Sequence, residues 1–384
     1  MVMWTIHIEG GPKRVNHAAV AIGERIFSFG GYCSGEDYNK TRPIDIHMLN
    51  TVTLRWTLLP LPTTEEELAL VPYQRYGHTT VEYEGNAYLW GGRNDSTGAC
   101  NKLYRFDGVT YTWDMPEVSG PIPEARDGHS ACIIHQRMYI FAGYEEFTDR
   151  FSNDMNYLNL VTFQWVPVVV NSKPARWRDF HTATPVGTTM FVFGGRCDEG
   201  GDQFTNNEIY CNKVMAFDTT SDTWLRPTPP PPGAPAGRRS HSAFEYNGAI
   251  YVFGGYNGLR ETHFNDLHRL DLSTMQWTEL EVPGKCPSPR RRQCACVVGS
   301  KVYFFGGTSP KSPDKGAPLR QTDSDLIDRS DLFVLDFEPS LKTLSSLVIL
   351  EHNLDRTYLP RELRVELSIM SSESTVNRMH TTNG

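Results

Sequence analysis

The 384-residue chain carries 45 Asp and Glu against 37 Lys and Arg, a formal net charge of −8, which argues against nucleic acid or an anionic membrane as its general partner, because both need an excess of basic side chains. Its eight cysteines are scattered without a CxxC pair, so neither a zinc site nor a disulfide framework is indicated. Met1 to Ile8 lacks the basic start and apolar core of a signal peptide, and no run reaches the length of a membrane span. The expectation is an intracellular, reduced protein, cytoplasmic and extending to the nucleus.

After a short β run around Trp4, the chain enters a repeat. An Arg stands three positions before a His (a Gln in the sixth unit), and a small-residue doublet begins sixteen positions after each Arg: 14 to 30, 75 to 91, 126 to 142, 178 to 194, 238 to 254 and 290 to 306. Local signals within each unit predict four strands. In the second unit His78 to Tyr83 is followed by the tight turn Glu84-Gly85-Asn86 and by the apolar run Ala87 to Trp90, which ends at the doublet. Glycine suits the doublet because it admits positive φ and close backbone approach. A third strand, such as Asn265 to Leu270, and a fourth around a tryptophan complete the unit. Trp56, Trp113, Trp165, Trp224 and Trp277 fill that slot, where a large indole is expected to pack between blades.

The sixth unit has Arg290, Gly306-Gly307 and the third-strand run Ser330 to Asp336 but no tryptophan. The missing one is Trp4, so the N-terminal strand is expected to complete the last blade and remove the ring's open edges. The predicted fold is all-β, a six-bladed β-propeller over residues 1–337, closed by its N-terminal strand. Antiparallel order places the long loops after the doublets and the arginines that open each blade on one face, where binding usually sits. The Pro-rich segment from Pro227 to Pro235 lies in the crossover before Arg238 and reads as a stiff spacer. Beyond Pro339 the pattern turns helical, with Leu341, Leu344, Leu347 and Val348, then Leu359, Leu363 and Leu367 with Pro360 at a first helical position. Residues 338–370 are therefore a short helical tail, and 371–384 are expected to be disordered.

His17, His78, His129, His181 and His241 occupy equivalent positions in successive units, so symmetry spreads them around the ring and no metal is expected. No phosphate loop, nucleophile elbow or His-Glu metal motif stands in the right context, which argues against an enzyme and a cofactor. The arginines exceed the repeat in one sector: Arg176-Trp177-Arg178, Arg238-Arg239-Ser240 and Arg290-Arg291-Arg292, with Arg260 in a neighbouring loop. Planar guanidinium groups pair carboxylate oxygens bidentately, so this excess reads as a pocket for a carboxylate, such as a peptide terminus.

The Arg-x-x-His with its glycine doublet and trailing tryptophan resembles the kelch family over residues 1–337. The opening Trp4-Thr-Ile-His-Ile-Glu-Gly-Gly-Pro-Lys-Arg-Val-Asn-His17, the segment Phe29-Gly-Gly-Tyr-Cys-Ser-Gly-Glu-Asp-Tyr38, Pro339-Ser-Leu-Lys-Thr-Leu344 and Tyr358-Leu-Pro360 are similar to kelch-repeat substrate receptors of cullin-2 RING ubiquitin ligases. That resemblance implies a non-catalytic adaptor that reads protein C-termini ending in glycine and marks their owners for degradation. It implies degron contacts by Arg239, Ser240, Arg291 and Arg292, with Trp177, Arg178 and Arg260 lining the approach. It further implies an elongin B/C-binding box at Leu341, Ser345 and Ile349, with Ser345 where the family pattern has Cys, and a box for cullin-2 and its RING subunit at Leu359, Pro360 and Leu363. The chain itself ends Thr382-Asn383-Gly384, which could occupy the pocket of its own or a second copy. A non-catalytic kelch scaffold for chromatin or cytoskeletal proteins is the rival reading.

Overall fold

In the computed structural model, which describes residues 2–37, 41–225, 230–311 and 325–378, each repeat becomes one four-stranded antiparallel blade. The blades are formed in turn by Ala18–Ile22, Arg25–Phe29, Ile46–Asn50 and Arg55–Leu58; by Tyr76–Tyr83, Asn86–Asn94, Tyr104–Asp107 and Trp113–Asp114; and by Ser130–Ile134, Arg137–Glu145, Arg150–Asn159 and Gln164–Pro167. They continue with Thr182–Val186, Thr189–Phe193, Met215–Asp218 and Thr223–Trp224; with Ser242–Tyr246, Ala249–Phe253, Leu267–Asp271 and Gln276–Glu279; and with Cys294–Val298, Lys301–Phe305, Leu332–Asp336 and Met3–Ile8. The first strands of the blades face one another around the axis. Second strands are apolar almost throughout, and Ala249–Phe253 is buried at every position, because a strand inside a blade inside a ring meets protein on both faces.

The N-terminal strand closes the ring as expected. Trp4 stands opposite Leu335 and Ile8 opposite Leu332 in antiparallel register. Six hydrophobic clusters fill the six junctions between neighbouring blades. In each, the tryptophan of one blade meets the aromatic residue that precedes the doublet of the previous blade, with ring centroids 5.0 to 5.8 Å apart. The pairs are Trp4 with Phe253, Trp56 with Phe305, Trp113 with Phe29, Trp165 with Trp90, Trp224 with Phe141 and Trp277 with Phe193. Such edge and tilted pairs add about 0.5–1.5 kcal/mol each beyond area burial.

Among the described residues three helices lie outside this scheme: the single turn α1 (Glu65–Leu68), and in the tail α2 (Leu341–Glu351) and α3 (Arg361–Ser371). Pro360 is the N-cap of α3, so the helix begins one position after the start read from the sequence. Leu367 and Met370 of α3 are buried, and the helix packs against the closing strand Met3–Ile8. The expectation of disorder from residue 371 does not describe residues 371–378. Ser374 donates its N–H to the Glu9 carbonyl at 2.7 Å, and Asn377–Arg378 pairs in parallel with Thr57–Leu58 as a fifth strand on blade one. The tail thus straps the seam where the ring closes and runs toward the crossover end of blade one. Gly384 and the start of the Pro-rich spacer fall outside the described residues.

Candidate functional site

The constant sixteen-residue offset has a direct cause. The Nη1 of Arg75, Arg126, Arg178, Arg238 and Arg290 donates to the carbonyl of the first doublet residue, Gly91, Ala142, Gly194, Gly254 and Gly306, at 2.9 to 3.3 Å. Each Nε donates to the carbonyl two residues earlier, at 3.0 to 3.2 Å. All five side chains are under 2 % exposed. Carboxylates of the same blade, rather than of its neighbour, complete three of them: Glu145 on Arg126 at 2.7 Å, Asp266 on Arg238 at 2.6 Å and Asp331 on Arg290 at 2.6 Å. Arg14 pairs likewise with Glu36 and Asp45 of its own blade. These arginines, buried inside the blades, hold the doublet end of each blade. The expectation for Arg178 is therefore corrected: its Nε and Nη1 are spent on the Arg176 and Gly194 carbonyls inside the protein.

In the second unit the doublet is glycine because both members are pressed by histidine. A Cβ on Gly91 would lie 2.3 Å from the His129 ring of the next blade, and one on Gly92 would lie 2.6 Å from Cβ of its own blade's His78. Three of the imidazoles bridge blades: His129 to the Thr79 hydroxyl at 2.7 Å, His181 to Ser130 at 2.7 Å and His241 to Thr182 at 2.9 Å. Burial holds His17, His78 and His241 down to about 3 and keeps His129 and His181 well below the usual range, so all five are neutral at physiological pH. Among the described residues, His7, Glu9 and Asp331 offer ligand atoms within 4.8 Å of one another. That group is already balanced by Lys285 on His7 at 2.8 Å and Arg290 on Asp331.

One residue of each blade stands at the mouth of the central channel: Asn16, Gly77, Gly128, Phe180, Ser240 and Arg292. All six have φ between +49° and +69°. Their backbones form a closed circuit, each N–H donating to the carbonyl of the preceding blade's residue at 2.7 to 3.3 Å. Left-handed backbone at a non-glycine residue costs roughly 1 kcal/mol, and six mutual hydrogen bonds hold it here. The circuit fixes where the flanking side chains emerge, so its composition decides the chemistry of the mouth. Arg292 brings the circuit's one charge, and Ser240 a hydroxyl.

Outside this circuit, the residue after each repeat arginine pairs with the residue after the doublet: Val15 with Tyr32, Tyr76 with Arg93, Asp127 with Tyr144, Asp179 with Arg196, Arg239 with Tyr256 and Arg291 with Thr308. The face is consequently polarised. Blades five and six contribute Arg239, Arg291 and Arg292; the guanidinium carbons of Arg239 and Arg291 lie 5.8 and 4.5 Å from the Tyr256 ring centroid. Blades three and four contribute Asp127 and Asp179. Burial, reinforced by the Asp179 charge, raises the Asp127 carboxyl to about 7. Burial also raises that of Asp179, against the pull of Arg196.

Arg239, Ser240, Arg291 and Arg292 are thus brought together beside Tyr256 and the circuit. Trp177, 38 % exposed, lines a separate cavity of about 460 Å³ between blades three and four with Arg176 and Glu199. Arg260 projects from the exposed loop of blade five, its backbone N–H on Asn257 Oδ1 at 3.1 Å. Tyr256, Asp127 and Glu208 were not singled out from the sequence. Tyr256 stands eighteen positions after Arg238, as Tyr32 does after Arg14, so the repeat offset would have reached it.

In the tail, Ser340 caps α2 by accepting the Thr343 N–H at 3.1 Å. Leu341 is 83 % exposed, Ser345 is exposed and Ile349 half-buried; in the second box Leu359 and Leu363 are half-buried and Pro360 is exposed. An exposed Ser345 keeps its hydroxyl hydrated in the free chain, so the cost of replacing Cys arises only when a partner covers it.

Residues 77–307 match the model of the KLHDC2/KLHL20/DRC7 kelch-repeats domain, and residues 13–60 match the kelch motif. The chain is 54 % identical over 380 residues to kelch domain-containing protein 3 of Bos taurus, and 53 % identical over 380 residues to that of Homo sapiens, covering 98 % of each chain. It is also 29 % identical over 314 residues to kelch domain-containing protein 10 of Xenopus tropicalis, covering 77 % of this chain and 71 % of that protein.

Proposed function

The chain belongs to the kelch-repeat family, and on that premise we propose that it is the substrate-recognition subunit of a cullin-2 RING ubiquitin ligase. In this reading the arc Arg239, Ser240, Arg291 and Arg292 binds the terminal carboxylate of proteins ending in glycine. The tail boxes at Leu341 to Ile349 and Leu359 to Leu363 recruit elongin B/C and cullin-2, and ubiquitin transfer is the work of those partners. The observation that carries the reading is the split among the arginines. Those required by the repeat are buried and bonded to backbone, whereas Arg239, Arg291 and Arg292, in excess of it, gather beside the channel mouth on the loop-bearing face. A C-terminal glycine suits such a mouth, because it presents a carboxylate with no side chain to clash with the circuit. The strapped tail docks α3 on the propeller and α2 on α3 while leaving Leu341 in solvent, the arrangement a recruiting helix needs.

The recruiting half is tested by purifying the full chain from cells and probing for elongin C and cullin-2. Both are expected with the native chain and lost with Leu341→Asp, a substitution at a solvent-exposed position that the propeller does not use. Absence of both from the native chain, or their retention by the variant, would contradict the proposal.

A further inference from the structure

Glu208 lies in a two-stranded ribbon, Arg196–Asp198 paired with Glu208–Tyr210, which stands on blade four beside the arginine arc. Its carboxylate is 3.4 Å from Nη1 of Arg239 and 3.7 Å from Nη1 of Arg196, and it accepts the Tyr210 hydroxyl at 2.5 Å. A Cβ on Gly258, in the blade-five loop, would come within 2.8 Å of Glu208 Oε2 and 2.9 Å of the Tyr210 hydroxyl, so that loop roofs the pair. The two arginines that share Glu208 are not equivalent. Arg196 is also held by Asp179, through Nε at 3.2 Å and through Nη2. For Arg239, Glu208 supplies the carboxylate, and the contact is longer than the 2.7–2.9 Å of a good charge-assisted bond.

We infer that Glu208 is an internal stand-in for the ligand's carboxylate: it holds the Arg239 guanidinium in place beside Tyr256 while the face is empty, and yields it to a peptide terminus. The inference rests on the terminus-capture reading and adds a selectivity device to it. A loose, single-point contact is displaced by an anion that pairs bidentately and also reaches Arg291 or Arg292, but not by one that offers Arg239 alone. Because Asp179 retains Arg196, releasing Arg239 does not dismantle the ribbon. The stand-in therefore lowers affinity for every anion and leaves only multi-point ligands above threshold.

Glu208→Gln removes the charge while keeping volume and an acceptor for Tyr210. With a ten-residue peptide ending in glycine as probe, the free acid is expected to bind the variant about tenfold tighter than native protein, while the C-terminal amide binds both alike. The gain is expected to vanish when Arg239→Gln is added, since the stand-in acts through that guanidinium. Unchanged or weaker binding of the free acid by Glu208→Gln, with native protein still preferring acid over amide, would overturn the stand-in role and leave terminus capture intact; so would a gain that survives Arg239→Gln. If native protein does not distinguish acid from amide, terminus capture fails and the stand-in role fails with it.

Discussion

Arg238 and Arg239 are neighbours in the chain and belong to different regions of the molecule. Arg238 is fully buried and gives its donors to the Ala236 and Gly254 carbonyls and to Asp266. Arg239 is 18 % exposed in its side chain, lies beside Tyr256 and has one loose carboxylate contact. Arg290, fully buried on Asp331, differs likewise from the half-buried Arg292 at the channel mouth, while Arg291 is itself buried and lies 4.5 Å from the Tyr256 ring centroid. A buried guanidinium whose donors end on backbone carbonyls is a strut that tolerates no change, whereas one at the channel mouth with a replaceable partner is available to a ligand. Residue type is shared across the two regions; the environment divides them.

The contrast breaks most severely if a strut is removed. Arg290→Met leaves Asp331, 4 % exposed, as a buried charge without its guanidinium. Urea denaturation is expected to show a loss of about 3–5 kcal/mol, and a loss within ~1 kcal/mol would mean the repeat arginines are not struts. A comparable loss, summed over the five repeat histidines, is expected on acidification. Five histidines are neutral in the fold and, with an unfolded value near 6.5, take up protons when unfolded, so stability is present above that pH and is lost as pH falls toward 3. Each costs ~1.4 kcal/mol at pH 5.5. Asp127 works in the opposite direction: raised to about 7, it is costly above that pH and is relieved on acidification. One carboxyl against five imidazoles leaves a net loss, so the urea midpoint is expected to fall between pH 7.5 and 5.5, and Asp127→Asn should steepen that fall.

Arg239→Gln combined with Arg292→Gln sharpens the contrast from the other side. These positions are partly exposed, so stability is expected to change by no more than about 1 kcal/mol, while a free-acid peptide ending in glycine loses at least tenfold in affinity by calorimetry. Smallest is Ala142→Gly. Ala142 opens its doublet at φ +59° where the other five units have glycine. Relief of the left-handed strain, offset by unfolded-chain entropy, should stabilise by about 0.5 kcal/mol.

The fold was legible in the sequence because a repeat is self-checking. Six equal offsets, five tryptophans in one slot and a sixth at the other terminus could be reconciled only by a ring closed with the N-terminal strand. The candidate site was legible only as departures from that repeat, which is why Arg239, Ser240, Arg291 and Arg292 were singled out. Arg178 was misassigned with them because sequence gives the identity of a side chain and not the carbonyl it faces. Its sixteen-residue distance to Gly194 was in plain view as a number before it had a meaning as a hydrogen bond. Glu208 was out of reach for a different reason: it lies in a loop of irregular length, where no offset carries its position to Arg239. The strap at Ser374 to Arg378 was hidden by its polar composition, since backbone pairing to Thr57 and Leu58 needs no apolar side chain.

The most direct test of the division between struts and ligand-facing arginines is isothermal titration of native protein with one glycine-ending peptide in two forms, free acid and C-terminal amide. The expected result is at least tenfold tighter binding of the acid, abolished by Arg239→Gln with Arg292→Gln. Equal affinity for the two forms would contradict it.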